Sequence, residues 1–395
     1  MHTQQLTGIF LHFLKLGCLS FGGPAAHLVF FHRHFVQQLR WLSDAEYAQL
    51  VALAQLLPGP TSSQVGIAIG YQLQGYRGAC AAWLGFTLPS MLLMACFAVL
   101  GQQYFNQLSA MTLHSIQLIV FAVVVWAFWQ MLTSFCQSVW QYILMLLSSL
   151  FLYFSPWSFS QVIVILVAAL VGIYFASDST SKLQDSGLKS KVQAKQAYLW
   201  LIAFVLPFVV FMVWHSSSSL FSQSLFSFYQ AASLVFGGGH IILPLLHQDF
   251  VVSHILSAEQ FDLGYALAQL MPGPLFSFAS YLGALLTLTP FVWLNVVLAT
   301  LAIFLPSFFL IFATLPYWSW LMQQAAIRKA VIGINAAVVS LLLCLVIQMG
   351  QSYFKHWTDL VFVIAVILLL RTKLPIWLSL ILSFALYQLF FYFSG

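Results

Sequence analysis

The chain has 395 residues, of which 62% are hydrophobic and only 5% are charged, and its formal net charge is +5. Soluble domains carry about 25% charged residues, so this composition excludes a soluble globular protein. The positive charge comes from few residues, and the preference of basic residues for the cytoplasmic side of a membrane explains it better than nucleic-acid binding does. Apolar stretches of the ~20 residues that cross a bilayer recur along the chain, without the alternating pattern of a β-barrel. The composition predicts an all-α polytopic membrane protein.

The first predicted helices are interrupted within apolar sequence. A stretch over residues 6–31 is broken at Gly22 and Gly23, and a stretch over residues 46–72 is broken at Pro58 and Gly59. Glycine and proline are poor residues for a helix interior, so both places predict breaks. Uninterrupted helices are predicted to follow at residues 79–100, 113–134, 142–154 and 161–175. Residues 1–5 lack a basic segment and the apolar stretch that follows bears Lys15, so we expect no cleaved signal peptide.

A polar segment separates this half of the chain from the next. Residues 177–196 hold four of the thirteen lysines and arginines and have no apolar periodicity. This pattern predicts a solvated linker on the cytoplasmic side, with a basic external loop as the alternative. We therefore predict a first repeat at residues 1–176, a linker at 177–197 and a second repeat at 198–395 that begins with an extra crossing.

The second half of the chain repeats the breaks of the first. FGGGH at residues 236–240 matches FGGP at residues 21–24, and ALAQLMPGP at 266–274 matches ALAQLLPGP at 52–60. Further helices are predicted at residues 291–315, 330–349, 360–370 and 374–393. A membrane tolerates a broken helix only where its backbone is buried in protein or lines a cavity. Two matching sets of breaks therefore point to a substrate site.

Basic residues change sides between matching loops of the two copies. The loop after the first glycine break carries Arg33 and Arg40, whereas its counterpart has no lysine or arginine and its charged residues are all acidic. A later loop at residues 101–112 is uncharged, while its counterpart carries Arg328 and Lys329. These differences predict two homologous repeats of inverted topology with broken or re-entrant helices.

The charge pattern also predicts the side on which each segment lies. The N-terminus, the linker and the Arg328 loop are placed inside, and the C-terminus is placed outside. Lys355 is the one exception to this scheme. Asp44, Glu46, Glu259 and Asp262 flank the entrances of the broken hairpins, and we expect them to be helix-start carboxylates in solvent, with a proton-coupling role as the alternative.

Each PGP motif is expected to end one helix and begin another. Pro58 biases the residue before it away from the α region, and a proline such as Pro60 is tolerated in a first helical turn. The new helix presents free backbone N–H groups at residues 61–63, together with the positive end of its dipole, which favours an anion. The alternative is that these residues merely kink a helix for packing.

Other polar residues lie close to the breaks. His27 and His240 each follow a glycine break, where they are either oxyanion or proton partners or packing histidines. Gln55 and Gln269 occupy the same place in both copies, and Asn335 lies in a late span. For each of these amides the alternatives are a contact with the substrate and a hydrogen bond that holds helices together. The candidate substrate-binding residues are Gly22, Gly23, His27, Gln55, Pro58, Gly59, Thr61, Ser62, Ser63, Gln64, Gly238, Gly239, His240, Gln269, Gly273, Ser277 and Asn335.

Taken together, these motifs resemble the chromate ion transporter family in its long, two-domain form. The resemblance is carried by FGGPAAH at residues 21–27, WLSDAEYAQLVALAQLLPGP at 41–60, FGGGHIILPLL at 236–246, ALAQLMPGPLFSFASYLGALL at 266–286, IFLPSFFL at 303–310 and GINAAVV at 333–339. It implies a multi-pass secondary transporter of the bacterial inner membrane that exports chromate, a sulfate-like oxyanion, using the membrane potential or a proton gradient. It implies no cofactor and no covalent chemistry.

The sequence therefore predicts a transporter whose helix starts at residues 61–63 and 275–277 hold a tetrahedral oxyanion. Sulfate or another inorganic oxyanion is an alternative substrate, and import is an alternative direction. An intramembrane enzyme is disfavoured, because the sequence shows no membrane-embedded Ser/His/Asp set, HExxH or paired acidic motif. A scaffold without transport would leave the duplicated breaks unexplained. The predicted partners are the oxyanion and membrane lipid, not nucleic acid; the oligomeric state stays open, with a homodimer as one alternative.

Overall fold

The computed structural model describes residues 5–155, 160–177, 194–214 and 219–394. Every regular element within those ranges is helical, so the prediction of an all-α protein is confirmed. Five of the helices are long and apolar enough to cross a membrane, and several shorter apolar helices accompany them. Most of the predicted linker, residues 178–193, lies outside the described residues.

The first half of the chain contains seven described helices. They are α1 (Leu6–Leu19), α2 (Gly23–Phe31), α3 (Asp44–Leu56), α4 (Thr61–Tyr104), α5 (Ala110–Phe135), α6 (Val139–Phe154) and α7 (Ser160–Phe175). The helix α4 bends at Gln74 and Gly75, whose backbone angles are not helical. Residues 61–73 are therefore a half-helix that follows the PGP break, and the rest of α4 is a full span.

The second half begins with the extra helix α8 and then follows the same order. Its helices are α8 (Ala194–Trp214), α9 (Leu220–Leu234), α10 (Ile242–His247), α11 (Ala258–Leu270), α12 (Phe278–Leu285), α13 (Val292–Thr314), α14 (Trp318–Gln323), α15 (Ala325–Tyr353), α16 (Trp357–Leu370) and α17 (Ile376–Ser394). The short helix α12 matches the half-helix of α4, and α13 matches the full span that follows it.

The two copies share local details as well as helix order. A π-helical turn follows the glycine break in each copy, at His32–Gln38 and at Gln248–Val252. Each helix before a PGP motif then starts with a capping box, formed by Ser43 with Glu46 in α3 and by Ser257 in α11. A serine at the N-cap satisfies a free N–H of the first turn, which fixes where the helix begins.

The PGP motifs end α3 and α11 at corresponding positions. The residue before the first proline, Leu57 or Met271, is extended, as expected for a residue that precedes proline. The glycines between the prolines, Gly59 and Gly273, have φ values of 123° and 95°. These values lie in a region that a side chain strongly disfavours, so both motifs depend on glycine.

The two halves interlock through their long central helices. The helix α5 of the first half packs against α16 and α17 of the second, and α15 of the second half packs against α6 and α7 of the first. The helix α4 also lies against α12. Because each half contributes packing partners to the other, the breaks of both copies are brought to one place.

Candidate substrate site

The breaks of the two copies are joined by a crossed pair of backbone hydrogen bonds. The N–H of Gly59, in the first PGP motif, donates to the carbonyl of Val235 before the second glycine break at 2.7 Å. The N–H of Gly273, in the second PGP motif, donates to the carbonyl of Ser20 before the first glycine break at 2.9 Å. Each PGP motif is thus held by the glycine break of the other copy.

A serine from the other copy also packs against each PGP glycine. A methyl group placed on Gly59 would lie 2.9 Å from Ser307 Oγ, and one placed on Gly273 would lie 2.8 Å from Ser90 Oγ. These serines end two matching motifs, TLPS at residues 87–90 in α4 and FLPS at residues 304–307 in α13. Space as well as backbone conformation therefore requires glycine at the centre of both PGP motifs.

A cavity of about 550 Å³ lies at this junction, and both glycine breaks line it. Its lining residues are Gly22, Gly23, Pro24, Ala25, Gln130, Met131, Thr133, Ser134, Phe135, Gly237, Gly238, Gly239, His240, Ala268, Gln269, Met271, Gly273, Leu275 and Ile376. Gln130, Thr133 and Ser134 are exposed, so the cavity opens along the end of α5. Known small-molecule sites have volumes of about 300–1,000 Å³, so this cavity has room for a small hydrated ion.

The polar groups of this cavity are neutral hydrogen-bonding groups. Gly22 and Gly238 precede the helical turns that start at Gly23 and Gly239, and neither helix start has a side-chain cap. The first N–H groups of α2 are therefore available at the cavity, together with the positive end of its dipole. The lining residues include amide, hydroxyl and imidazole side chains but no Asp, Glu, Lys or Arg among those described.

His240 is positioned in the cavity by two residues of α11. Its Nδ1 lies 2.9 Å from Tyr265 Oη and 3.5 Å from Gln269 Nε2. Gln269 also lines the cavity, so the imidazole and the amide form one polar side of it. These two side chains are the predicted polar contacts that the structure brings together with the glycine breaks.

Two predicted residues lie away from the cavity. His27 is fully buried, with Nδ1 at 3.2 Å from Ser62 Oγ and Nε2 at 3.2 Å from the Ser20 carbonyl. Both ring nitrogens therefore have partners within the protein, as in a packing histidine. Gln55, the counterpart of Gln269, is exposed and does not line the cavity.

The helix start after the first PGP motif is also absent from the cavity lining. Ser62, Ser63 and Gln64 are buried, and Gln64 Nε2 donates to the Pro58 carbonyl at 2.6 Å. Ser63 Oγ, Gln64 Oε1 and Ser307 Oγ are buried without a hydrogen-bond partner. The side chains of Gln64 and Ser307 both lie close to Gly59, where the first PGP motif meets α13.

The second PGP motif differs from the first in its serine contacts. Ser277 Oγ lies 2.6 Å from Ser90 Oγ, so these two serines are hydrogen-bonded to each other, unlike the unpartnered serines near the first PGP motif. Asn335 lies behind the second glycine break, where its Oδ1 would be 3.4 Å from a methyl group on Gly237. That oxygen is buried and has no hydrogen-bond partner among the described residues.

One sequence-based expectation about the acidic residues is wrong. Asp262 was expected in solvent at a helix start, but it is 1% exposed and accepts a hydrogen bond from Tyr353 Oη. It lies in the second turn of α11, on the side that packs into the protein, because the capping box at Ser257 starts the helix one turn earlier. Asp44, by contrast, is exposed as expected.

Sequence reasoning missed the part of the cavity that α5 and α17 supply. Gln130, Thr133 and Ser134 lie in the last turns of α5, and Ile376 begins α17. Polar residues in the last turns of a span are common where a helix reaches the membrane interface, so they gave no distinct signal. Only the packing of α5 and α17 against the breaks brings these residues to the cavity.

The family of this chain is established by comparison with known proteins. A family model described as Chromate transporter matches residues 7–173 and 222–389. The chain belongs to the chromate transporter family. The predicted resemblance is therefore confirmed, and the two matched segments are the two repeats, the first containing α2 to α6 in full and the second containing α10 to α16 in full.

Three curated relatives of this chromate transporter family member match over most of their length. A chromate transport protein of Cupriavidus metallidurans is 28% identical over 94% of this chain and 89% of its own length. A probable chromate transport protein of Synechococcus elongatus is 28% identical over 92% of this chain and 89% of its own length. An uncharacterized transporter of Methanocaldococcus jannaschii is 26% identical over 96% of this chain and 92% of its own length. No solved structure matches the chain significantly.

Proposed function

We propose that this protein is a secondary transporter that exports chromate across the bacterial inner membrane, driven by the membrane potential or a proton gradient. The observation that carries the proposal is the cavity at which the glycine breaks of both copies meet. Broken helices at a repeat interface are where secondary transporters bind substrate, and free helix starts bind anions. Membership of the chromate transporter family gives chromate as the first candidate anion.

The neutral lining of the cavity suits an ion that must be released. Backbone N–H groups at Gly23 and the side chains of His240 and Gln269 provide dipoles rather than fixed charges. Hydrogen bonds and dipoles stabilise a divalent oxyanion in a site of low dielectric constant, but they hold it less tightly than a buried arginine would. A weak site is required of a transporter, because a tightly bound ion would leave too slowly.

We include the buried start of α4 in this proposal, as a second group of residues that contact the anion. Ser63 Oγ, Gln64 Oε1 and Ser307 Oγ have no partner in the structure. Leaving a buried polar group unpaired costs roughly 1–3 kcal/mol, so these unpaired atoms of α4 and α13 call for an explanation. We propose that the start of α4 becomes accessible in another conformation of the transport cycle and then contacts the anion.

Chromate flux into inside-out membrane vesicles tests the proposed function. Vesicles containing the protein should accumulate chromate when a membrane potential or a pH gradient is imposed, and vesicles from cells lacking it should not. Sulfate has the same shape and charge, so its ability to compete measures how far the site distinguishes the two ions. If no chromate flux above that of the empty vesicles appears under either gradient, the proposed function is wrong.

Replacement of the first PGP motif tests the second set of contacts separately. Pro58→Ala combined with Gly59→Ala should abolish chromate flux while the protein still reaches the membrane. Flux equal to that of the unmodified protein would rule out a role for the start of α4 and leave the proposed function intact.

A further inference from the structure

The helix α11 carries a row of polar side chains that leads away from the cavity. Asp262, Tyr265 and Gln269 are spaced three and four residues apart, so they share one face of the helix. Gln269 lines the cavity, and Tyr265 Oη contacts His240 at 2.9 Å. Asp262 lies one turn beyond Tyr265, at the end of the row that is farther from the cavity.

Asp262 is buried with only half of its carboxylate partnered. Tyr353 Oη, from the end of α15, donates to Oδ2 at 2.5 Å. Oδ1 is buried and has no hydrogen-bond partner, and no ion pair involves this carboxylate among the described residues. A carboxylate anion with an unpaired oxygen is costly to bury, whereas a neutral carboxylic acid is far less so.

The titratable groups that interact with Asp262 come from α11 itself and from α15. Glu259 is the acidic neighbour on the same helix, and Tyr353 is the titratable group that α15 directs at Asp262. Tyr281 of α12 donates to the Gln260 carbonyl. The helix α11 also packs against α4, α5, α17 and the turn at residues 275–277, and among their described residues none adds a charge that interacts with Asp262.

A second buried carboxylate, that of Asp359, has the partners that Asp262 lacks. Asp359, at the start of α16, accepts backbone hydrogen bonds from Lys355 and His356 at 2.9 and 3.0 Å. His114 Nε2 lies 3.2 Å from its other oxygen. Asp359 is thus supplied with the partners that an anion needs, whereas Asp262 is not.

The polar row is present in only one of the two copies. The residues that correspond to Asp262, Tyr265 and His240 are Ala48, Val51 and Ala25. Only the glutamine of the row, Gln55 in the first copy, is kept, although it is exposed there. The fold of a repeat therefore does not require the row, which favours a function in the second copy.

We propose that Asp262 is the proton-coupling site of this transporter. The inference rests on the proposed function, since it names the group through which a proton gradient acts. Asp262 holds one proton while it is buried against Tyr353, and it releases that proton to water when a movement between α11 and α15 exposes Oδ1. Because α11 also carries Gln269 and holds His240, the same movement changes the cavity, so that one proton is bound and released in each transport cycle.

Reconstituted vesicles separate proton coupling from anion binding. The unmodified protein should exchange internal for external chromate, and a chromate gradient should move protons, measured with a trapped pH-sensitive dye. Asp262→Asn should keep chromate exchange but lose the proton movement, to the level of vesicles without protein. Glu259→Gln, on the same helix, is the matched control and should keep both. Proton movement by Asp262→Asn equal to that of the unmodified protein would overturn the proposal.

The same assay distinguishes the two proposals. If the unmodified protein exchanges no chromate, the proposed function itself fails. If it exchanges chromate without moving protons, only the coupling proposal fails.

Chemical modification gives a test that does not depend on a variant. Dicyclohexylcarbodiimide reacts with protonated carboxyl groups in apolar surroundings, and mass spectrometry locates the adduct. Asp262 of the unmodified protein should be labelled, with less labelling as the pH rises, while Asp359 should stay unlabelled. A labelled Asp359 beside an unlabelled Asp262, or no adduct on Asp262 at any pH, would contradict the proposal.

Discussion

At the scale of single residues, identical motifs have different environments in the two copies. Gln55 and Gln269 both lie three residues before a PGP motif, yet Gln269 lines the cavity beside His240 and Gln55 is exposed. The difference arises because α11 packs into the interior against α5, α12 and α17. Because the two glutamines have equivalent positions in the sequence, both were candidate substrate contacts, but the structure brings only Gln269 to the cavity.

Replacing each of these two glutamines in turn gives a prediction that contains its own control. Gln269→Ala should weaken chromate binding, since it removes a hydrogen bond to a charged ligand that is worth roughly 1.5–3 kcal/mol, or about tenfold to a hundredfold in affinity. Gln55→Ala should leave binding unchanged. The measurement is the concentration of chromate that gives half-maximal exchange in reconstituted vesicles. Equal effects of the two substitutions would mean that the cavity is not the substrate site.

At the scale of helices, the positions of the breaks follow from proline and glycine. Residues 57–60 and 271–274 interrupt helices where the sequence predicts, because a residue before proline avoids the α region. The bend of α4 at Gln74 and Gly75 falls between the stretches predicted at residues 46–72 and 79–100, whereas the two π-helical turns were not predicted. These features depend on how each helix must turn to reach its neighbours, which local propensity does not contain.

The crossing of α7 and α15 provides a prediction at this scale. A methyl group on Gly333 would lie 2.1 Å from the Ala168 carbonyl oxygen and 2.7 Å from Gly172 Cα. Because both contacts are backbone atoms, Gly333→Ala must separate the helices, and overpacking of this kind costs about 1–3 kcal/mol. The variant should unfold at a lower temperature in detergent and give less folded protein.

A glycine on the same helix serves as the control. A methyl group on Gly350 would make ordinary contacts of 3.7 Å with the Phe121 ring. Gly350→Ala should be neutral or slightly stabilising, by about 0.5–1 kcal/mol, since alanine favours a helix. A Gly333→Ala variant as stable as Gly350→Ala would show that the two helices do not approach each other as described.

At the scale of the whole molecule, the order of elements agrees with the predicted inversion of the repeats. The first copy has two broken hairpins followed by four apolar helices; α4 and α5 are long enough to cross a membrane, whereas α6 and α7 are shorter. If each hairpin returns to its own side and all four helices cross, the linker ends on the side where the chain began. The extra helix α8 then adds one crossing, so the second copy starts from the opposite side. Inverted topology remains a prediction.

Cysteine labelling at two corresponding positions tests the inversion. Gln38 and Ser253 follow the glycine breaks of the two copies by the same number of residues, and both are exposed. In a chain whose five native cysteines are replaced, Gln38→Cys should react with a membrane-impermeant maleimide only from the cytoplasmic side. Ser253→Cys should react only from outside, and the cysteine-free chain should not react. Labelling of both positions from one side would rule out inverted repeats.

The sequence by itself determined the class of the protein, the duplication, the family and the positions of the breaks. These follow from composition and from the local chemistry of glycine and proline, which act in the same way wherever the chain folds. It also identified Gly22, Gly23, Gly238, Gly239, His240, Gln269 and Gly273, which line the cavity.

Only the tertiary structure decided which polar groups meet. The crossed bonds of Gly59 with Val235 and of Gly273 with Ser20, the contribution of α5 to the cavity and the burial of Asp262 join residues far apart in the chain. Two nearly identical motifs differ in environment because the helices packed around each copy differ. That packing is a property of the whole interlocked molecule, so no local pattern in either repeat could specify it.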